Sequence, residues 1–268
     1  MSELRASSLP LLMKCTGSLT LPCDYTKSEN AEKGATWGTL LHTWVQTGLV
    51  RGPKRLCNLF EKALDLSGMR NRRLEFWPEG GSHEGEVSVF VGGMVGNSRL
   101  STWPVVTRKA VKQEGWVTGH YDYQHWFLDG ELWIDDLKTG KYYPNPLPGS
   151  QGWNPDLDVG ENRFPQDPKS AQLKTYALAI SELEEYKGDV WISVTHWPRL
   201  PLIYRHAPPT RLWHRWGHAD LMQHWSDLEV MYATHKANQT ESSMTLTPGD
   251  HCRFCPARAV CLVAQEEF

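Results

Sequence analysis

The sequence predicts an α/β fold with a mixed sheet, and three observations support this prediction. Apolar residues at helical spacing occur near the start of the chain. The middle of the chain holds short segments with alternating apolar residues, which are typical of strands. Helical and strand patterns then follow each other toward the C-terminus, as they do in sheets that pack against helices.

Two helices come first. Residues 36–47 form a short helical pattern, and residues 54–67 form a second one. The second helix is predicted to present an apolar face made of Leu56, Leu59, Phe60, Ala63 and Leu64.

A β-hairpin is predicted in the middle of the chain. Residues 85–91 alternate and favour a strand, and so do residues 116–127 and 131–137. Asp129 and Gly130 stand between the last two segments and give a strong turn signal. We therefore expect these two segments to pair as neighbours.

A long loop separates the hairpin from the next helix. Residues 144–168 carry six prolines, several glycines and no helical period. A helix is expected at about 168–185, with Asp167 as its N-cap and Pro168 at its first position.

The last third of the chain predicts a strand, a helix and a tail. Residues 188–197 favour a strand, and a long amphipathic helix is expected from Pro209 to about His235. Residues 236–268 are predicted to form a linker and then a cysteine-rich segment.

Composition narrows the class of protein. A length of 268 residues suits one large domain or two small ones, and 40% hydrophobic residues allow a sizeable core. No apolar run approaches the roughly 18–20 residues of a membrane span, and the N-terminus lacks a signal-peptide core. We therefore expect a soluble cytoplasmic protein. The net charge of −3 neither demands nor excludes a nucleic-acid partner.

Three charged residues of the hairpin form a candidate catalytic group. Asp136 and Lys138 point to one face because side chains alternate along a strand, and Asp122 can reach that face from the neighbouring strand. Two carboxylates so close together need a neutralising charge, and Mg²⁺ prefers such oxygen ligands. The lysine could then orient a metal-bound water or stabilise charge on a phosphate. The alternative is a surface hairpin with an ordinary Asp–Lys pair.

Two helical pairs could add to this group. Gln172 and Tyr176 lie four residues apart on one helical face, so an amide and a phenol can address one target. Gly38 and His42 have the same spacing on the first helix, and His42 could supply a metal ligand. The alternatives are a partly buried pair and a histidine that binds nothing.

Taken in order, these motifs resemble the RecB-like nucleases of the PD-(D/E)XK superfamily over about residues 38–176. The resemblance implies a restriction-endonuclease-like core and Mg²⁺- or Mn²⁺-dependent cleavage of DNA. It implies that metal is bound by His42, Asp122, Asp136 and the backbone carbonyl of Leu137. It also implies that Lys138 is catalytic and that Gln172 and Tyr176 position the substrate.

The family often has a further glutamate on the strand before the hairpin. Glu86 in the segment GEVSVFV is the candidate here, and Glu75 is the second choice.

The cysteines suggest a second metal site. Cys252, Cys255 and Cys261 supply three soft ligands, and a closed site needs a fourth. His251, Cys15 and Cys23 are the choices, and spacing alone cannot separate zinc from an iron–sulfur cluster. Cys57 is expected to be a small buried hydrophobe.

The segment around Cys15 resembles the N-terminal cysteine segment of iron–sulfur nucleases in this superfamily, such as the AddB type and the small CRISPR-associated exonucleases. The resemblance implies a [4Fe–4S] cluster on Cys15, Cys252, Cys255 and Cys261, with zinc as the alternative. Such a cluster would join the two ends of the chain.

Several residues are candidates for contact with DNA. Trp153 in the long loop could stack on a base. Basic residues after the hairpin could line a phosphate-binding groove, although ordinary solvated charge is the alternative for each. They are Lys169, Lys174, Arg199, Arg205, Arg211 and Arg215.

The sequence therefore predicts a single nuclease domain over 1–268, with residues 36–235 as its core and residues 1–35 and 236–268 as an iron–sulfur staple. The expected function is a metal-dependent DNA exonuclease of recombination, repair or phage DNA metabolism, acting on single strands or DNA ends. A homo-oligomer or a recombination-protein partner is possible in this class. The alternatives are a catalytically silent DNA-binding module and a zinc-ribbon interaction protein.

Overall fold

A mixed sheet with helices on both faces forms the body of the protein. We describe it from a computed structural model. The described residues are 4–18, 20–21, 29–95, 98–99, 101, 103–139, 168–197, 210–240, 246–249, 252, 255, 257–261 and 263.

Seven strands of the described chain form the main sheet, in the spatial order β5-β2-β6-β7-β8-β9 with β1 paired to β6. The β1–β6 and β7–β8 pairs are parallel, and the other pairs are antiparallel. A separate short hairpin is made of β3 and β4. The strands are β1 (Leu4–Arg5), β2 (Ser82–Phe90), β3 (Met94–Val95), β4 (Ser98–Arg99), β5 (Val106–Thr107), β6 (Trp116–Trp126), β7 (Leu132–Lys138), β8 (Val190–His196) and β9 (Thr210–Trp216).

The described residues contain five α-helices. They are α1 (Leu9–Leu12), α2 (Glu29–Thr47), α3 (Lys54–Ser67), α4 (Ala171–Leu183) and α5 (His218–Thr240). Short 3₁₀ turns stand at Ala6–Ser8, Met69–Asn71 and Arg73–Glu75. No helix among these residues is long and apolar enough to cross a membrane.

Strand β7 lies between two apolar cores because its side chains alternate between the two faces of the sheet. Leu132 and Ile134 pack into a core with α4 and α5. Trp133 and Leu137 pack into a second core with α2 and α3. A strand buried on both faces has nearly fixed side chains, which suits it to carry a site at its end.

Much of the predicted order is observed. The α/β fold with a mixed sheet is confirmed, and helix α3 has the predicted bounds. The hairpin of β6 and β7 turns at Gly130. Its φ of 83° lies in the left-handed region, which glycine adopts readily because it lacks a Cβ. Helix α2 begins at Glu29, seven residues before the predicted start at residue 36. Leu59, predicted on the apolar face of α3, is 51% exposed.

Two predictions are wrong. Residues 210–216 form the edge strand β9, and the helix that was expected from Pro209 begins only at His218. Arg211, Trp213 and Arg215 recur at every second position, which fits a strand beside β8. The N-cap of α4 is Ser170, whose hydroxyl accepts a hydrogen bond from the Leu173 amide. Asp167 and most of the predicted loop at 144–168 lie outside the described residues.

Candidate functional site

The two carboxylates of the hairpin lie side by side. Strands β6 and β7 pair as far as Tyr123 opposite Asp135, and Asp122 and Asp136 follow at the next position of each strand, where both line one cavity. Asp122 accepts a hydrogen bond from the Leu137 amide at 2.7 Å. Lys138 forms an ion pair with Asp136 at 2.5 Å, and the Asp136 side chain is only 2% exposed. The hairpin thus gathers all three predicted catalytic groups at one end of the sheet.

The charges of this group are not balanced. Burial and the neighbouring Asp136 raise the pKa of Asp122 well above its usual value. Burial lowers the pKa of Lys138, but Asp136 and Asp122 outweigh burial, so that the pKa is raised overall and the ammonium stays charged. One ammonium cannot neutralise two buried carboxylates. The site therefore favours a proton or an added cation.

His42 reaches the same place from α2. Its Nε2 donates to the Leu137 carbonyl at 2.9 Å, and its Nδ1 lies 3.5 Å from Asp122. Burial, followed by the charge of Lys138, lowers the pKa of His42, so the ring is neutral. A Cβ on Gly38 would lie 3.1 Å from the Thr139 hydroxyl. The glycine four residues before His42 therefore lets α2 approach the end of β7.

Helix α4 brings Gln172 and Tyr176 to the other side. The Gln172 amide donates to the Tyr176 hydroxyl at 2.8 Å. Burial raises the pKa of Tyr176, so the phenol keeps its proton. A Cβ on Gly119 would lie 2.4 Å from the Tyr176 ring, so only glycine allows this close packing.

These side chains line two cavities that share Asp122 and His120. The first, which we call the catalytic cavity, measures about 350 Å³ and is lined by Asp122, Asp136, Lys138, Gln172 and Tyr176 among others. The second measures about 570 Å³ and is lined by His42 and Glu84 among others.

The predicted glutamates are placed differently from one another. Glu86 lines the catalytic cavity, but it forms an ion pair with His120 at 3.0 Å and is 43% exposed. Glu75 lies on an exposed 3₁₀ turn and pairs with Arg72.

Glu84, which the sequence reasoning did not consider, lines the second cavity together with His42 and Asp122. The register of β2 and β6 continues on both sides of it and sets it opposite Asp122. Its φ of 35° is rare for a residue with a side chain, and such strain collects at functional sites. The sequence offered one indication of Glu84. In an alternating strand Glu84 and Glu86 share a face, so the pattern alone could not choose between the two glutamates.

The cysteines of the predicted cluster converge. Cys15, Cys252, Cys255 and Cys261 line one small cavity, beside the apolar side chains of Leu21, Leu246 and Val263. None of these four described cysteines forms a disulfide. Cys57 is half-buried against the second core, as expected for a small hydrophobe. Cys23 and His251 lie outside the described residues.

The described residues do not form a ready-made metal site. No three His, Cys, Asp or Glu side chains among them are grouped as ligands of one ion. In the catalytic group, Lys138 occupies an Asp136 oxygen and His42 occupies the Leu137 carbonyl. The donor types nevertheless suit a hard cation, because two carboxylates, a carbonyl oxygen and an imidazole meet there.

Three residues of the predicted basic groove make other contacts in the fold. Lys174 packs over the Trp216 ring at 3.9 Å, and Arg215 pairs with Glu131. Arg211 lies behind the sheet, 3.9 Å from the buried Asp135. Arg211 and Arg215 make these contacts because they lie on β9, whereas Lys174 lies on α4. Lys169 is exposed, and Trp153, Arg199 and Arg205 lie outside the described residues.

Comparison with known proteins identifies the family. No curated protein matches this sequence. The solved structure of SSO0001 is similar at 11% identity and a TM-score of 0.38, over 97% of this chain and 86% of that chain. The family model of the PD-(D/E)XK nuclease superfamily matches residues 6–262. With a match over nearly its whole length, the chain belongs to the PD-(D/E)XK nuclease superfamily.

Proposed function

We propose that this nuclease is a Mg²⁺- or Mn²⁺-dependent exonuclease that hydrolyses DNA phosphodiesters from single strands or duplex ends. The observation that carries the proposal is the convergence of Asp122, Asp136 and Lys138 on one open cavity. A module that only bound DNA would have no use for two buried carboxylates at its DNA-binding surface, since like charges repel phosphate.

The metal would be held by Asp122, Asp136, His42 and the backbone carbonyl of Leu137. Glu84 is a better fifth ligand than Glu86, because it stands opposite Asp122 while Glu86 is paired with His120. A bound divalent cation supplies Lewis acidity to the phosphate and makes water a better nucleophile.

The protein's own residues supply position and charge. Lys138 stays protonated and can orient the attacking water or stabilise the negative charge that develops on the phosphate. The Tyr176 hydroxyl accepts from Gln172 and keeps its own proton, which it can donate to a phosphate oxygen. Both helical residues thereby fix the substrate against the carboxylates.

We also propose that Cys15, Cys252, Cys255 and Cys261 hold a [4Fe–4S] cluster, with zinc as the alternative. The shared cavity of the four thiols supports this proposal. Two contacts bring the first cysteine's segment to the end of α5: Thr16 accepts from His235 and from Asn238, each at 3.0 Å. Residues 1–35 and 236–268 would then form a staple around a single domain whose core is residues 36–235.

Substitution of one thiol tests the cluster. Protein purified without oxygen should contain about four iron and four sulfide per chain, and Cys261→Ser should lose most of both. Cys57→Ser is the matched control and should keep them, because Cys57 packs against the other core. Stoichiometric zinc without iron would replace the cluster by the zinc alternative.

We propose the cytoplasm of a bacterial or phage-infected cell as the setting of this enzyme. There a DNA exonuclease would act in recombination, repair or phage DNA metabolism. A homo-oligomer or a recombination protein as partner would keep it on its substrate.

Digestion of end-labelled DNA tests the proposed function. The wild type should release label stepwise from one end with Mn²⁺, should do nothing in EDTA, and should leave circular single strands intact. The labelled end that shortens gives the polarity. Cleavage of circles would show an endonuclease, and binding without any cleavage would leave the DNA-binding module as the function.

A further inference from the structure

The catalytic cavity extends beyond the catalytic residues to a second, basic wall. Arg5 and Ser7 line this wall from the N-terminal segment, and Lys112 lines it from the segment before β6. We call these three residues the basic wall. It was not part of the groove that the sequence predicted, which drew on residues after the hairpin.

The N-terminal segment faces its polar side chains toward the cavity. Leu4 and Ala6 are buried, whereas Arg5 and Ser7 are exposed. Strand β1 fixes this alternation, because Arg5 pairs with Thr118 of β6 in parallel register. A Cβ on Gly119 would lie 2.7 Å from the Ala6 Cβ, so the glycine also lets this segment approach the sheet.

Lys112 lies in a loop that hydrogen bonds fix to the neighbouring strands. The Ser88 hydroxyl donates to the Lys109 carbonyl at 2.7 Å and accepts from the Val111 amide at 3.0 Å. The Thr118 hydroxyl donates to the Val111 carbonyl at 2.9 Å. Backbone that is fixed on both sides presents the neighbouring lysine at a constant place, which lowers the entropy cost of binding a ligand.

An acidic residue also lines the cavity beside the basic wall. Glu86 lines the same cavity, but it pairs with His120 at 3.0 Å and accepts from the Ala110 amide at 3.2 Å. The next cavity along the surface also includes Lys112, but there Lys236 pairs with Glu114 at 2.7 Å. On the catalytic side, Arg5 and Lys112 line one cavity with Asp122 and Asp136.

From this arrangement we propose that the basic wall binds a backbone phosphate of the DNA strand next to the phosphate that is cleaved. Arg5 and Lys112 would bind its oxygens, and Ser7 would donate a hydrogen bond. The inference rests on the proposed function, since it assigns the path that the DNA strand takes as it leaves the catalytic residues. The proposal also places the DNA strand over β1 and not over β9.

Salt-dependent binding tests the basic wall without cleavage. The probe is fluorescein-labelled dT12 in EDTA, followed by fluorescence anisotropy between 50 and 300 mM NaCl as an approximate range. Arg5→Gln and Lys112→Gln should each weaken binding about three- to tenfold. Each should also reduce the slope of log K against log[NaCl] by about 0.7, the value for one single-strand phosphate contact. Arg70→Gln is the matched control, because this exposed arginine pairs with Asp65 on α3.

The outcomes separate this inference from the proposed function. If wild type binds and cleaves dT12 but both variants bind with unchanged affinity and slope, the basic wall does not contact DNA. If wild type neither binds nor cleaves DNA, the proposed function itself fails. Lys112→Glu guards against misfolding at β1, because Lys112 lies outside the strands and should weaken binding more than the glutamine variant does.

Discussion

At the residue scale, two glycines determine how closely the proposed catalytic groups approach one another. Gly38 lets α2 reach Thr139, and Gly119 lets Tyr176 and Ala6 lie against β6. Neither position has a positive φ. The glycines are required for space and not for backbone conformation, so a single methyl group is enough to test their role.

Gly119→Ala should displace Tyr176 from the catalytic carboxylates. We expect the cleavage rate to fall about 10- to 100-fold, since small misplacements of a positioning group cost that much. Gly217→Ala is the control, because its Cβ would make only an ordinary contact at 3.4 Å and its rate should match wild type. Equal rates in the two variants would contradict the role of the Tyr176 contact.

At the element scale, strand β7 is held from behind by a buried acid. Asp135 accepts from the Trp77 indole at 2.7 Å, from the Thr195 hydroxyl at 2.9 Å and from the Ser193 hydroxyl. Arg211 lies 3.9 Å away. Asp135 points away from Asp136 because successive side chains alternate, so this network fixes the strand that carries Asp136, a proposed catalytic residue.

Asp135→Ala should destabilise the fold strongly. It leaves Arg211 and three donors without their acceptor, and breaking such a buried pair costs about 3–5 kcal/mol. Urea unfolding measures the loss. Asp189→Ala, which breaks a 43%-exposed pair with Arg215, should cost less than about 1 kcal/mol. A similar loss in both variants would show that the buried network adds nothing special.

The contact of α4 with α5 predicts acid sensitivity. Burial, then Lys174, lowers the pKa of His224 to about 3, and its Nε2 donates to the Thr175 hydroxyl at 2.9 Å. Because the folded pKa lies below the unfolded value near 6.5, the unfolded state binds more protons as the pH falls. The stability that neutral His224 contributes is therefore fully present above about pH 6.5 and is lost progressively as the pH falls toward 3.

Unfolding free energies at two pH values check this. His224 alone should cost about 2 kcal/mol between pH 7 and pH 5. His224→Gln should show a correspondingly flatter pH dependence. An unchanged dependence in that variant would mean that His224 is not buried as the neutral form. His196, whose pKa burial lowers to about 4, acts in the same direction and remains in both proteins.

At the scale of the whole molecule, local patterns predicted the hairpin and its ends, because a turn signal and alternation both act within about ten residues. Long-range contacts were not predictable in this way. Strand β1 is two residues long and exists only by pairing with β6. The sequence of Thr210–Trp216 is compatible with a helix and with a strand. Its pairing with β8 determines that it forms a strand.

The candidate site divides along the same line. Asp122, Asp136 and Lys138 follow from one hairpin, and the sequence brought them together by spacing. The choice of Glu84 over Glu86 depends on which residue stands opposite Asp122, and the basic wall depends on the course of the N-terminal segment. Neither the position of Glu84 nor the basic wall can be predicted from a short sequence motif.

The most direct test of the central claim compares Lys138→Ala with wild type on end-labelled DNA with Mn²⁺. Lys62→Ala, an exposed lysine on α3, is the control. We expect the Lys138 variant to bind DNA and remain folded but to cleave at least about 100-fold more slowly, because a charge aimed at the transition state is lost. The control should cleave at the wild-type rate. A folded Lys138→Ala protein that cleaves as fast as wild type would contradict the assignment of this group as the active site.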